Sequence, residues 1–151
     1  MIGGDLDEAP LPAEVYVVWE ELIAIPGPRH TLKRFGRLWL RRRAAAALDL
    51  YRTNDAAVRT LWDLWEDDQP VTLVTYLPPE VAAHLPARLE REEIPHVRLL
   101  VDQPLHMART IAFLPGVARI VHSIPDHHLL YGPKGFLVPP DAPELIREIL
   151  P

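Results

Sequence analysis

The chain has 151 residues, 48% hydrophobic and 25% charged, a balance typical of a single globular domain with a sizeable core. It contains no cysteine, which excludes disulfides, thiolate metal sites and a cysteine nucleophile. The net charge of −5 argues against general binding to nucleic acids, and no apolar run is long enough to cross a bilayer, so we expect a cytoplasmic protein without membrane contact.

The chain begins with a predicted lead-in and a buried strand. Residues 1–13 combine glycines, prolines and acidic side chains, so we expect a flexible lead-in before a single domain over 14–151. The run VYVVW at 15–19 is apolar throughout and rich in β-branched and aromatic residues, which predicts a strand covered on both faces.

A helical insert is predicted over residues 30–66. Thr31 can cap a long helix with a basic face that runs to Tyr51. A second helix follows Asn54, and its apolar residues recur at i, i+3, i+4 and i+7. This spacing predicts a buried stripe made of Val58, Leu61, Trp62 and Trp65.

Strands and helices alternate along the rest of the chain. The predicted strands are 71–76, 97–101, 119–121 and 136–138, and the predicted helices are 78–93, bent by its internal proline, 104–114 and 142–150. This alternation predicts a parallel sheet flanked by helices on both faces. In such sheets binding sites lie beyond the carboxyl ends of the strands.

One segment resembles a known family. It is PVTLVTYLPPEVAAHLPARLEREEIPHVRLL, an apolar strand ending in a threonine, then a helix and a turn into the next strand. It is similar to the second motif of the haloacid dehalogenase-like (HAD-like) superfamily, and the resemblance extends from about Glu14 to Val138. It implies a three-layer, Rossmann-type HAD-like α/β fold with a cap-like insert, and it places Thr75 where that family binds the transferred phosphate.

Two further segments carry the resemblance. HMARTIAFL resembles the helix of the third motif and implies that Arg109 neutralises the phosphate. RIVHSIPD resembles the fourth motif, in which an apolar strand precedes an acid, a serine and a second acid. Ser123 and Asp126 match, whereas His122 replaces the first acid. The implied site therefore binds a small phosphorylated ligand through Thr75, Arg109 and Ser123, with Asp126 and His122 as metal ligands.

The first motif decides whether phosphoryl transfer is possible. In the family a strand ends in two aspartates that flank one residue; the first attacks phosphorus and the second acts as acid and base, with Mg²⁺ holding the substrate. VYVVWEEL places Val18 at the nucleophile and Glu20 at the acid position, and a frame shifted by one residue places Trp19 and Glu21 there. Because a valine cannot attack phosphorus, we expect a ligand- or partner-binding pseudoenzyme.

An alternative first motif lies in the lead-in. Asp5 and Asp7 have the required spacing and would make the chain an active, Mg²⁺-dependent phosphatase with Asp5 as nucleophile. The strand before them would be residues 1–4, two of which are glycines that weaken a strand. We therefore favour Val18 and Glu20.

The stretch RIVHSIPDHH also permits a transition-metal site. His122, His127 and His128 with Asp126, and with His106 as a further candidate, offer imidazole and carboxylate ligands for Zn²⁺ or another transition metal. Their spacing matches no familiar zinc motif, and adjacent histidines on a loop usually point apart. We favour a remnant of the fourth motif.

Seven basic residues fall between Arg29 and Arg43. They leave open an interaction protein that contacts an acidic partner, or the chain's own acidic lead-in, through this basic helix. Nucleic-acid binding is disfavoured, because Phe35 and Trp39 fit the buried face of the helix and no known nucleic-acid module is present.

Overall fold

The computed structural model describes residues 14–28, 30–40, 42–115 and 118–149. The expected flexible lead-in at 1–13, including Asp5 and Asp7, lies outside them.

A five-stranded parallel sheet forms the centre of the molecule. Among the described residues the strands are β1 (Val15–Val18), β2 (Ala24–Pro26), β3 (Tyr51–Thr53), β4 (Val71–Thr75), β5 (Arg98–Val101), β6 (Arg119–His122) and β7 (Gly135–Leu137). The large sheet has the order β5-β4-β1-β6-β7, and every neighbouring pair is parallel. The predicted α/β class and parallel sheet are thus confirmed.

Helices cover both faces of this sheet. Within the described ranges they are α1 (Leu32–Leu40), α2 (Ala44–Leu48), α3 (Asp55–Glu66), α4 (Pro79–Ala82), α5 (Leu85–Arg91), α6 (Pro104–Phe113), α7 (His128–Tyr131) and α8 (Ile146–Ile149). Val15 and Val17 of β1 face a core cluster that includes residues of α2 to α5 and α8. Tyr16 and Val18 face the opposite cluster, to which α6 and α7 contribute. Two buried faces explain why β1 is apolar at every position.

The insert differs from its prediction. The expected long helix to Tyr51 is wrong, because α1 and α2 are separate and Arg42 between them has a positive φ of 56°. Residues 51–53 form β3, which pairs antiparallel with β2. The Gly27 N–H donates to the Leu50 carbonyl, and a Cβ at Gly27 would lie 2.8 Å from that oxygen. The absence of a side chain at Gly27 therefore permits the approach that places β3 beside β2.

The buried face of α3 is also rotated from the predicted one. Its buried residues are Ala57, Thr60, Leu61 and Leu64. Trp62 and Trp65 are 40% and 43% exposed, so their predicted burial is wrong. Both stripes have helical spacing, and the smaller side chains allow closer packing on the sheet. Trp39 of α1, expected on the buried face, is likewise 41% exposed.

A buried arginine ties the insert to the sheet domain. The Arg88 side chain on α5 donates to the carbonyls of Leu48 and Tyr51, both at 2.9 Å. Its guanidinium also lies 5.7 Å from the centroid of the Trp19 ring. These contacts hold α2 and β3 against α5.

The predicted bend of the 78–93 helix is confirmed, since α4 ends before Ala83 and α5 begins at Leu85. No helix in the described part of the chain is long and apolar enough to span a membrane.

Candidate functional site

Three of the predicted site positions lie at one edge of the sheet. β1 lies between β4 and β6, and parallel neighbours end at the same edge. Thr75 is the last residue of β4 and His122 is the last residue of β6, while Glu20 follows β1 by two residues. The fold therefore brings the ends of the three strands together.

Val18 occupies the end of β1 and has no exposed surface. In the sheet register it lies beside Val74 of β4, and it belongs to the cluster that contains Met107 and Ile120. An aliphatic side chain enclosed in this way can neither attack a substrate nor bind an ion.

Glu20 is held by hydrogen bonds to the end of β4. After β1 the chain turns tightly: the Ile23 and Ala24 N–H groups donate to the Trp19 carbonyl. This turn directs Glu20 towards β4, where the Thr75 hydroxyl donates to Oε1 at 2.8 Å and the Tyr76 N–H donates to Oε2 at 2.6 Å. Both carboxylate oxygens are therefore occupied by groups of the protein.

Burial controls the charge of Glu20. Its side chain is only 9% exposed, and desolvation raises its pKa to about 7, although the hydrogen bonds from Tyr76 and Thr75 act in the opposite direction. Near neutral pH the group therefore populates both protonation states. A carboxyl group with this property can hold or release a proton.

His122 and Ser123 are also engaged within the protein. The Ile124 N–H donates to His122 Nδ1 at 3.2 Å, so the proton of a neutral ring sits on Nε2, which lies 3.3 Å from His128 Nδ1. Burial, together with the neighbouring histidines, lowers the pKa of His122 to about 4, which keeps the ring uncharged. The Ser123 hydroxyl donates to the Val138 carbonyl.

Two tyrosines and a histidine complete the site. The hydroxyl oxygens of Tyr76 and Tyr131 lie 2.5 Å apart, and the Tyr131 ring packs edge-on against His122 with centroids 4.9 Å apart. His127 packs edge-on against Tyr76, and its Nδ1 is buried without a hydrogen-bond partner among the described residues. Neither tyrosine was predicted from the sequence, although Tyr76 directly follows Thr75.

Arg109 and Asp126 lie apart from these hydrogen bonds. Arg109 is exposed on α6, the buried face of which carries Met107 and Ile111. Asp126 is exposed in the 3₁₀ turn Pro125–His127. Neither side chain forms a hydrogen bond or ion pair with another residue of the described ranges. Their assignments as phosphate and metal ligands stay predictions from the resemblance.

The described residues do not fit a metal centre. No group of three or more histidine, aspartate or glutamate side chains among them is placed to hold an ion. His122 already uses both ring nitrogens, and Glu20 uses both oxygens. Glu20 therefore does not supply an open carboxylate of the kind that Mg²⁺ requires.

The turn at residues 131–135, which has the sequence YGPKG, stabilises the carboxyl end of α6. The Lys134 ammonium group donates to the carbonyls of Ile111 at 2.8 Å and Leu114 at 2.5 Å, at the carboxyl end of α6. A cation is favourable there, because the helix dipole and the unpaired carbonyls attract it. The Lys134 ammonium group therefore stabilises the carboxyl end of α6.

The edge of the sheet therefore combines a proton-holding carboxyl with the uncharged His122 ring and paired tyrosines, without a nucleophile at the end of β1. Comparison with known proteins adds no relative: no protein-family model, curated protein or solved structure matches the chain. Any function assigned to it depends on the chemistry of the site itself.

Proposed function

We propose that this chain is a HAD-like domain that has lost phosphoryl transfer and functions by binding a ligand or a protein partner. The observation that carries the proposal is that Val18, which the resemblance assigns to the nucleophile position, is fully enclosed by the core. Covalent phosphoryl transfer requires a group there that can attack phosphorus.

The contact between Glu20 and Thr75 supports this choice of first motif. The frame with Val18 as nucleophile makes Glu20 the acid, and the resemblance makes Thr75 the phosphate ligand. A site built from the first two motifs needs these positions side by side, and the two side chains share a 2.8 Å hydrogen bond. If the first motif instead used Asp5 as nucleophile, neither Glu20 nor its contact with Thr75 would have a role in the site.

The hydrogen bonds at this edge argue against phosphate binding and turnover there. A phosphate oxygen reaching Thr75 has to displace the bond to Glu20, because the hydroxyl proton is already donated to that carboxylate. Ser123 is similarly bound to a carbonyl. Thr75 and Ser123, which the resemblance assigns to the substrate, therefore stabilise the protein's own strand ends.

The test is hydrolysis of a panel of phosphate monoesters in the presence of Mg²⁺, Mn²⁺ or Zn²⁺. Wild type is compared with Asp5→Ala and Asp126→Ala, with circular dichroism confirming that all three are folded. We expect phosphate release no faster than with heat-denatured protein. Turnover that is lost in both variants would overturn the proposal and establish a phosphatase that uses Asp5.

A further inference from the structure

The insert contains a cavity of about 630 Å³ between α1, α2 and the two-stranded sheet of β2 and β3. This volume lies within the range of small-molecule sites. The residues at the carboxyl edge of the large sheet, such as Glu20 and Thr75, are not among those that line it. It is therefore a separate place on the molecule.

Three arginines surround this cavity: Arg34 and Arg37 from α1, and Arg52 from β3. Asp49 is the one acidic residue among the described residues that line it, so the charge there is positive on balance. None of the three guanidinium groups forms a hydrogen bond or ion pair with another described residue. Their donors are thus free to bind an anion, and the planar guanidinium matches the oxygens of a phosphate.

The remaining lining offers an apolar surface. Leu38 of α1, Leu50 and Tyr51 lie beside the arginines. An inorganic ion alone would leave this surface exposed to water, whereas an organic group attached to the phosphate would cover it. The combination fits a molecule with an anionic end and an apolar body.

The part of the cavity lining that Leu50 and Tyr51 form is held in place by contacts within the protein. The Arg88 guanidinium donates to the Tyr51 carbonyl, and the Gly27 N–H donates to the Leu50 carbonyl. The Tyr51 ring packs between Trp19 and His30, with centroid distances of 5.1 and 4.5 Å. Because this part of the lining is already ordered, ligand binding costs less conformational entropy.

We propose that this cavity binds a small organic molecule bearing a phosphate group, held by Arg34, Arg37 and Arg52. The proposal rests on the ligand-binding role proposed above and names the site and the class of ligand. It does not require any step of catalysis.

The test is calorimetric titration of the full chain with phenyl phosphate, which combines a phosphate with one aromatic ring. The variants are Arg34→Gln, Arg37→Gln and Arg52→Gln, and the matched control is Arg59→Gln, on α3. Arg109→Gln, on α6, tests the rival phosphate site that the resemblance implies. We expect each of the three cavity variants to bind about tenfold more weakly, and the Arg59→Gln control to bind like wild type. Circular dichroism confirms that the variants are folded.

Several results would overturn the proposal. These are the absence of phenyl phosphate binding to wild type, an equal loss in Arg59→Gln, and a loss confined to Arg109→Gln. Phenol release is measured in the same samples, and its appearance would refute the proposed loss of catalysis. The effect of the arginine substitutions on affinity still tests, independently, whether the ligand binds in the cavity.

Discussion

Replacing Glu20 by glutamine should remove a pH dependence from the stability of the fold. Glutamine has the shape of the protonated carboxyl: its amide oxygen can accept from the Tyr76 N–H, and its amide nitrogen can donate to the Thr75 oxygen. The variant therefore reproduces the form of Glu20 that burial favours, and it cannot ionise.

The magnitude follows from the pKa of Glu20, which rises from 4.5 to about 7 in the folded chain. Between these values the unfolded chain has released the proton and the folded chain still holds it, so the unfolded state gains stability as the pH rises. The contribution of Glu20 is complete below pH 4.5 and is lost as the pH passes through 7. A shift of this size corresponds to about 3 kcal/mol of unfolding free energy.

The assay is urea unfolding, followed by the fluorescence of the buried Trp19, at pH values from 4 to 8. We expect the free energy of unfolding of wild type minus that of Glu20→Gln to fall by about 3 kcal/mol across this range. His122 has the opposite effect, because its lowered pKa costs stability as the pH falls towards 4, and subtraction removes its contribution. Glu80→Gln, which alters an exposed carboxylate on α4, is the control and should keep the wild-type slope. A difference that stays constant or grows with pH would refute the reasoning.

Three further predictions concern stability and are measured by thermal and urea unfolding. Gly27→Ala should destabilise the fold by about 1–3 kcal/mol, because its Cβ would meet the Leu50 carbonyl. Gly36→Ala, with open space around it inside α1, should stabilise the fold by about 1 kcal/mol. Equal effects of the two substitutions would contradict the close approach of Gly27 to Leu50. Arg88→Met should cost about 3 kcal/mol because two carbonyls lose their buried donor, while the exposed Arg91→Met should change stability by less than about 0.5 kcal/mol. Lys134→Met should cost about 1–2 kcal/mol by removing the cation from the end of α6, and an unchanged melting temperature would count against that cap.

The sheet was predictable because its signals are local. Four consecutive apolar residues in β1 and the alternation of strands with helices are visible in the sequence, and both require a parallel sheet covered on two faces. β3 was missed because it has three residues and follows a run of alanines that favours helix. Its strand conformation comes from tertiary contacts, above all the approach of Gly27.

The candidate site was predictable only in part. Glu20, Thr75 and His122 each follow or end an apolar strand, so their position at the edge of the sheet could be inferred. The hydrogen bond between Glu20 and Thr75 depends on β4 lying next to β1, which no single strand reveals. The Tyr76–Tyr131 pair joins a strand end to a four-residue helix, and neither segment has a pattern that indicates the other.

The position of β1 at the centre of the sheet has a consequence for synthesis of the protein. Val15 pairs with Val71 on one side and Arg119 on the other, so β1 leaves the ribosome long before the second of its two partners. At roughly 5–20 residues per second, that partner follows about 5–20 s later. During that interval an apolar strand has an unpaired edge, which is the condition under which nascent chains aggregate or recruit chaperones. The same arrangement that buries β1 on every side in the finished fold therefore makes it a vulnerable segment of the growing chain.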